Sequence, residues 1–340
     1  SNDLLETVEN EAATNAQFFY DSPIQSDLEA KLKQLLIKLA SANKIIGIQV
    51  CVYKDGKVVI DSVAGVLGEN DPRPVQHDSL FSVFSTTKGI TAGMVHWLVD
   101  NGKLKLEENI ANIWPGFGVN KKDSIKVHHV LNHTSGLHNA ASGSSIYELN
   151  WKASLNGVVT AIPESEPGQL QLYHYSAFGF LCGGIIEHVS GKKFQEVLDE
   201  AIVRPLNIEG ELYIGIPPGL ESRVATLSAD MEDIEKMLSA STYGERPPSS
   251  AQKWHIVNPS PHQIYSVFCT MRHGIEAKIN IGSVSDRARE GVSVSHSQEG
   301  GDRFYNVKWL VVLTYLTCDG MGKHLQKACE SIHTSISNLL

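Results

Sequence analysis

A chain of 340 residues, 42% hydrophobic and 20% charged, with 28 Gly and 13 Pro, has an ordinary globular composition and the length for one large domain or two sub-domains sharing an interface. A net charge of −9 without any Lys/Arg block excludes the usual nucleic-acid surface and gives an anionic membrane nothing to hold. The apolar run 309–316 is far too short to span a bilayer, and the five scattered cysteines lack a C-x-x-C pair, so they read as buried thiols of a reducing, intracellular compartment.

Residues 1–25 are polar and acidic without a clear period and read as a leader or linker. From Ser26, a natural cap, the stripe Leu28, Leu32, Leu35, Leu36 and Leu39 predicts a helix with one apolar face. Ile46, Ile48, Val50 and Val52 alternate, Asp55-Gly56 supplies a turn, and Val58, Val59, Ile60 and Val63 resume, so 45–66 reads as a β-hairpin. Ile90, Met94, Val95 and Leu98 recur at helical steps up to Gly102. Residues 104–117 read as irregular, broken by Pro115-Gly116. A helix is predicted over 122–131, capped by Ser124, with Gly136 taking the left-handed conformation that closes it. After a Gly/Ser-rich loop at 141–145, further helices are expected at 146–162, 178–189 and 194–201. Beyond about residue 241 the pattern weakens: 243–261 reads as loop, 271–294 has no period, 307–317 reads as a β-branched strand and 323–340 as a closing helix. A sheet assembled from both chain ends around a helical insert at about 68–205 is an α+β arrangement.

Chemistry concentrates at Ser85-Thr86-Thr87-Lys88. Residues three apart on a helix share a face, and an amine beside a hydroxyl lowers the cost of forming an alkoxide. Burial would push such a lysine toward its neutral, basic form. Ser-x-x-Lys alone is common, however, and more often marks a solvated helix face.

The ordered company it keeps is more specific: His133-Thr134-Ser135-Gly136-Leu137, Pro167-Gly168, Tyr173-His174-Tyr175-Ser176-Ala177-Phe178-Gly179-Phe180, Ile185-Ile186-Glu187 and Ser190-Gly191-Lys192. Together these resemble the serine β-lactamase-related family of class C β-lactamases, DD-peptidases and esterase-like relatives. The resemblance is strong over about 46–208 and fragmentary beyond 241. It is nearest to the β-lactamase-related domain that some plant proteins carry behind an atypical kinase-like domain. On that reading 26–340 is one β-lactamase/penicillin-binding-protein-like domain, and an opening of Ser-Asn-Asp without a signal-peptide pattern fits a segment of a longer fusion protein.

The resemblance implies Ser85 as acyl-accepting nucleophile, Lys88 as its proton-relay partner, and a motif tyrosine that shuttles a proton to the leaving group. Spacing from Pro167-Gly168 lands on Tyr173, whereas the run Tyr175-Ser176 followed by Gly179-Phe180 favours Tyr175; we take Tyr175 as catalytic and Tyr173 as substrate-contacting. A phenol can serve as a base if an adjacent cation lowers its pKa. The family's third motif is best matched by His296-Ser297-Gln298, which makes His296 and Ser297 substrate-binding candidates. Two departures stand out: Gln298 replaces a glycine, and Ala177 replaces the motif asparagine. Gln298 would crowd the backbone approach of a substrate, and the missing charge-assisted contacts ill suit a carboxylate-bearing substrate. The expectation is therefore a carboxylesterase-like serine hydrolase of a small ester or amide, with no cofactor. The alternatives are a catalytically silent binding or regulatory domain and a β-lactamase or DD-peptidase proper.

His128, His129 and His133 lack the glutamate of a zincin and any neighbouring cysteine, so no metal site is expected. His133 is expected instead to brace the active-site wall through the His-Thr-Ser-Gly turn. Glu187, Lys192 and Lys193 read as solvated.

Overall fold

The computed structural model describes residues 20, 24, 26–42, 45–54, 57–83, 86–140, 151–226, 269–271 and 309–316. Ser26 caps helix α1 (Asp27–Ser41), its Oγ accepting from the Glu29 N–H at 3.2 Å. Strands β1 (Gly47–Lys54) and β2 (Lys57–Gly68) pair antiparallel from Gly47↔Gly65 to Lys54↔Lys57, with a register shift between Val52 and Tyr53. Strand β3 (Asp71–Pro74) extends the far edge of β2.

Period-two alternation sorts the residues of β1. Ile48, Val50 and Val52, with Ile60 and Ala64 of β2, pack on Leu32 and Leu36 of α1. Each such fully buried aliphatic contributes about 1.5–3 kcal/mol. On the other face the buried Gln49 amide donates to the carbonyls of Gln76 (2.9 Å) and Ser79 (3.0 Å), which removes the cost of hiding it. Tyr20 bridges to Ala64 and packs with the α1 cluster, so the segment read as a leader touches the sheet at that point.

Strands β4 (Phe81–Ser82), β5 (Leu212–Ile214) and β6 (Cys269–Met271) form a small antiparallel sheet in the order β4-β6-β5. Strand β7 (Trp309–Leu316) returns to β1 in antiparallel register, Gly47↔Leu316 to Lys54↔Trp309, giving the order β3-β2-β1-β7. The sheet is thus built from both ends of the chain, as its alternating and β-branched segments predict.

The helical part comprises α2 (Thr87–Asp100), α3 (Ile110–Ile113) with a 3-10 turn at Pro115–Gly118, α4 (Val127–Leu131), α5 (Trp151–Thr160), α6 (Ala177–Ser190) and α7 (Phe194–Leu198). The last continues through a π-helical turn, Asp199–Val203, into α8 (Arg204–Leu206). Helix α6 lies at the centre, buried from Ala177 through Ile186 except Gly179, with Ile90, Met94, Val95 and Leu98 of α2 in the same core. Gly183 and Gly184 admit two indole rings: a Cβ at Gly183 would lie 2.3 Å from Trp151, and one at Gly184 2.1 Å from Trp114.

Three expectations are corrected. The helix expected over 122–131 is only Val127–Leu131, because the residues before it are used otherwise. Asn109 bridges Lys126, Ile110 N–H donates to Ile125 O at 2.9 Å, and Lys122 is fully buried with its Nζ on the carbonyls of Val159 (2.7 Å) and Ala161 (2.6 Å). The helix expected to run to residue 201 becomes a π turn after Leu198. Glu187 is not merely solvated: it accepts from Trp151 Nε1 at 3.2 Å and from Phe194 N–H at 3.1 Å. The expected closing helix at 323–340 and the loop at 243–261 lie outside the described residues.

Candidate active site

Helix α2 begins after Thr86, whose N–H donates to Val83 O at 3.1 Å, and it carries Lys88 in its first turn. Thr87, Ile90, Thr91 and Met94 are buried, which anchors this end of the helix in the core and leaves Lys88 half-buried at its rim. Ser85, His296 and Ser297 lie outside the described residues. The Lys88 ammonium donates to the Tyr175 carbonyl at 2.9 Å and lies 4.8 Å from the Tyr173 ring centroid and 5.8 Å from that of Tyr175. The two phenol rings meet edge-on at 6.3 Å and both are exposed. Both tyrosines that compete for the motif position are therefore neighbours of Lys88, Tyr175 brought there across 87 positions of sequence.

One expectation about these groups changes. Desolvation first, and the Tyr173 phenol second, hold the Tyr175 hydroxyl above its ordinary pKa, although much of the residue surface is open. The cation that was to lower it is directed at the Tyr175 backbone carbonyl. Tyr175 is therefore a protonated phenol in this arrangement, a donor rather than a ready base.

The segment bearing these tyrosines is stitched to the His-Thr-Ser-Gly turn. Gly168 N–H donates to Thr134 O (2.8 Å), Leu172 N–H to His133 O (3.0 Å), Glu164 N–H to Gly136 O (2.8 Å) and His174 N–H to His133 Nδ1 (3.1 Å). His133 adopts φ 63° and Gly136 φ 77°, so the turn uses two left-handed residues, and a Cβ at Gly136 would strike Ser165 O at 2.2 Å. The His133 ring packs on Tyr173 (4.9 Å), Phe178 (5.1 Å) and His174 (5.2 Å). Burial, then the neighbouring His174 and Lys88 charges, press the His133 pKa down to about 4. Burial also takes His174 to about 4, against the bond to Leu172 O that favours its charged form. The motif signalled this brace; the pairing of Ser135 Oγ with His174 Nε2 at 2.6 Å it did not.

Ala177, where the motif asparagine is missing, is fully buried at the start of α6 and presents no polar group to the site. Cys182 lies beneath, its thiol pushed up by burial while the Lys88 charge opposes the shift; Cys51 and Cys182 are both buried free thiols. Among the described residues no group of three or more His, Cys, Asp or Glu side chains is placed to hold a metal ion. His128 Nδ1 is instead 3.3 Å from Glu107 Oε1, and His129 Nδ1 accepts from Lys126 N–H at 3.1 Å. A cavity of about 880 Å³ opens between α2, α6 and β5. Its lining includes Thr87, Thr91 and Gly179 but none of Lys88, Tyr173 or Tyr175, so it is separate from the cluster described.

Comparison with known proteins supplies the context. Esterase/beta-lactamase LipL of Mycobacterium tuberculosis is 33% identical over 177 residues, covering 52% of this chain and 41% of that protein. A crystal structure of a penicillin-binding protein homologue from Caulobacter crescentus superposes with TM-score 0.59 at 25% identity, covering 74% of this chain and 68% of that one. A family VIII carboxylesterase superposes with TM-score 0.61 at 22% identity over 75% of this chain and 68% of that one, and so shares the fold. The chain spans about half the length of the curated relatives it matches. The α+β arrangement of an antiparallel sheet with a helical part is the β-lactamase/penicillin-binding-protein fold. Residues 29–242 match the family described as Beta-lactamase, and the chain belongs to that family.

Proposed function

We propose that this protein is a serine hydrolase that acts through an acyl-enzyme on uncharged esters or amides, with Ser85 as nucleophile and Lys88 and Tyr175 as its proton-transfer partners. The observation that supports the reading most is the meeting of the first turn of α2 with the Tyr173-His174-Tyr175 segment through Lys88 Nζ, 2.9 Å from the Tyr175 carbonyl. Ser85 stands three positions before Lys88 in the sequence, in the Ser-x-x-Lys pattern.

The steps assign one role to each group. For the attack Lys88 must first have given up its proton; Ser85 Oγ then attacks the substrate carbonyl carbon as its own proton passes to the neutral Lys88 amine. The Tyr175 hydroxyl, which holds its proton, gives it to the departing alcohol or amine, and the proton on Lys88 then restores the phenol. Water attacks the acyl-enzyme by the same relay and frees Ser85. The buried Ala177 in place of the motif Asn, and His296-Ser297 where the resemblance has Lys-Thr, leave out contacts that a charged β-lactam or D-alanyl peptide would need, which favours an ester over those substrates. The name of the similar esterase/β-lactamase LipL is in keeping with ester hydrolysis and keeps β-lactam turnover as the activity to test against. The resemblance to a domain carried behind a kinase-like domain extends the proposal to a partner domain in the same polypeptide.

Hydrolysis of a p-nitrophenyl acyl ester should depend on Ser85, with Ser85→Ala reducing kcat by at least about 10³-fold. Equal rates from both proteins would end the proposal. A second reading, a silent domain that keeps the fold for binding, is favoured by the raised Tyr175 phenol and by Gln298. A serine-reactive fluorophosphonate separates the two: stoichiometric labelling at Ser85 supports the enzyme, and folded protein that takes no label supports the silent domain. A chromogenic cephalosporin should be turned over poorly, and rapid turnover would make the protein a β-lactamase proper.

A further inference from the structure

His174 stands between the two phenols, and its side chain faces the other way. It is fully buried, whereas Tyr173 and Tyr175 on either side are exposed, which is the alternation of an extended segment. Whatever fixes the imidazole therefore fixes the direction in which both phenols project. Ser135, also fully buried, supplies that bond at 2.6 Å. His174 Nδ1 lies 2.6 Å from Leu172 O, an atom that can only accept, so Nδ1 carries the proton and Nε2 accepts from the Ser135 hydroxyl. The hydroxyl oxygen accepts in turn from Leu137 N–H at 3.3 Å, and the His174 N–H donates to His133 Nδ1. Every polar atom of the Ser135 and His174 side chains is thus used inside the protein, and none points at the Lys88 cluster.

Building on the hydrolase reading, we propose that Ser135 and His174 are positioning residues: their buried bond sets Tyr173 and Tyr175 around the Lys88 amine without either residue touching the acyl group. The arrangement depends on neutral imidazoles. A proton on His133 Nδ1 would abolish the acceptor for the His174 N–H, and one on His174 Nε2 would oppose the Ser135 hydroxyl. The groups that face the pair are Lys88 from α2, Tyr173 from their own segment, and His138, whose ring is 6.4 Å from His174 and whose Nε2 is 3.4 Å from Glu164 Oε2.

The test compares wild type with Ser135→Ala and His174→Gln, the second of which keeps an amide oxygen for the Ser135 hydroxyl. Ser135→Ala should remain folded by circular dichroism yet lose about 10- to 100-fold in kcat on a p-nitrophenyl ester with KM little changed, because a small misplacement of the relay is felt mainly in the transition state. His174→Gln should recover part of that loss. The alkaline tyrosinate absorbance titration, read without substrate and against Tyr175→Phe, should shift in Ser135→Ala. A folded Ser135→Ala protein with wild-type kcat and an unmoved titration would overturn the proposal; if that variant fails to fold, His174→Gln decides by the same two readouts. Should wild type and Ser85→Ala hydrolyse the ester equally, the hydrolase reading falls, and the tyrosinate shift alone still decides whether Ser135 and His174 set the phenols.

Discussion

At pH 7 neither His133 nor His174 carries a charge, since burial holds both near a pKa of about 4 against an ordinary 6.5. Between those values the unfolded chain binds protons that the folded one refuses, so stability rises with pH across that window and is lost as pH falls through it. The fully buried His174 alone would account for about 3 kcal/mol of that loss between pH 7 and pH 4. Urea denaturation followed across this range should show the fall, and His174→Gln should flatten it; an unchanged slope in the variant would remove His174 as its source. Motif spacing named Lys88, Tyr173 and Tyr175, and the fold brings these three side by side. The Ser135–His174 bond was not, since it joins positions 39 apart and depends on which side of an extended segment faces the core. Ser85, His296 and Ser297 lie beyond what the described residues can place.

Packing at the level of single elements turns on α6, which receives indole rings from two directions. Its apolar run identified it as a helix, but nothing in that run said that Gly183 and Gly184 exist to accommodate Trp151 and Trp114. Trp114 also stacks on His188 at 4.7 Å and touches Phe117 at 5.5 Å, so its ring is held on three sides. Gly184→Ala gains helix propensity of about 1 kcal/mol, yet its methyl must displace a ring atom 2.1 Å away. Overpacking of this kind costs about 1–3 kcal/mol, so a net loss is expected, read as a lower denaturant midpoint at constant m-value. A midpoint at or above wild type would mean that the indole moves aside freely. The short α4 teaches the complementary point: residues 122–126 have helix-compatible chemistry, but burial of Lys122 and the pairing of Lys126 with Asn109 take them elsewhere. Tertiary demand overrode local preference there.

For the whole molecule, the sequence disclosed the main sheet because both contributing segments alternate or are β-branched, and pairing them follows from needing a cover for each edge. It did not disclose the small β4-β6-β5 sheet, whose strands are two or three residues long and carry no period to detect. Strand β7 closes β1 over its full eight residues. Ending the chain after residue 308 should leave the N–H and C=O groups of β1 exposed, and size-exclusion chromatography should then find aggregate that the uncut chain does not form. A soluble monomer that unfolds cooperatively would show β7 to be dispensable.

The same pairing imposes an order on biosynthesis. While a ribosome is still making the helices, the first hairpin has already emerged with one flank open, and its cover, β7, is encoded about 250 residues later. The helical core can consolidate from near neighbours in the interval, whereas the sheet must wait for a slow, distant closure. Chaperone dependence in the cell would accordingly be concentrated on that waiting flank, and far less on the helical part.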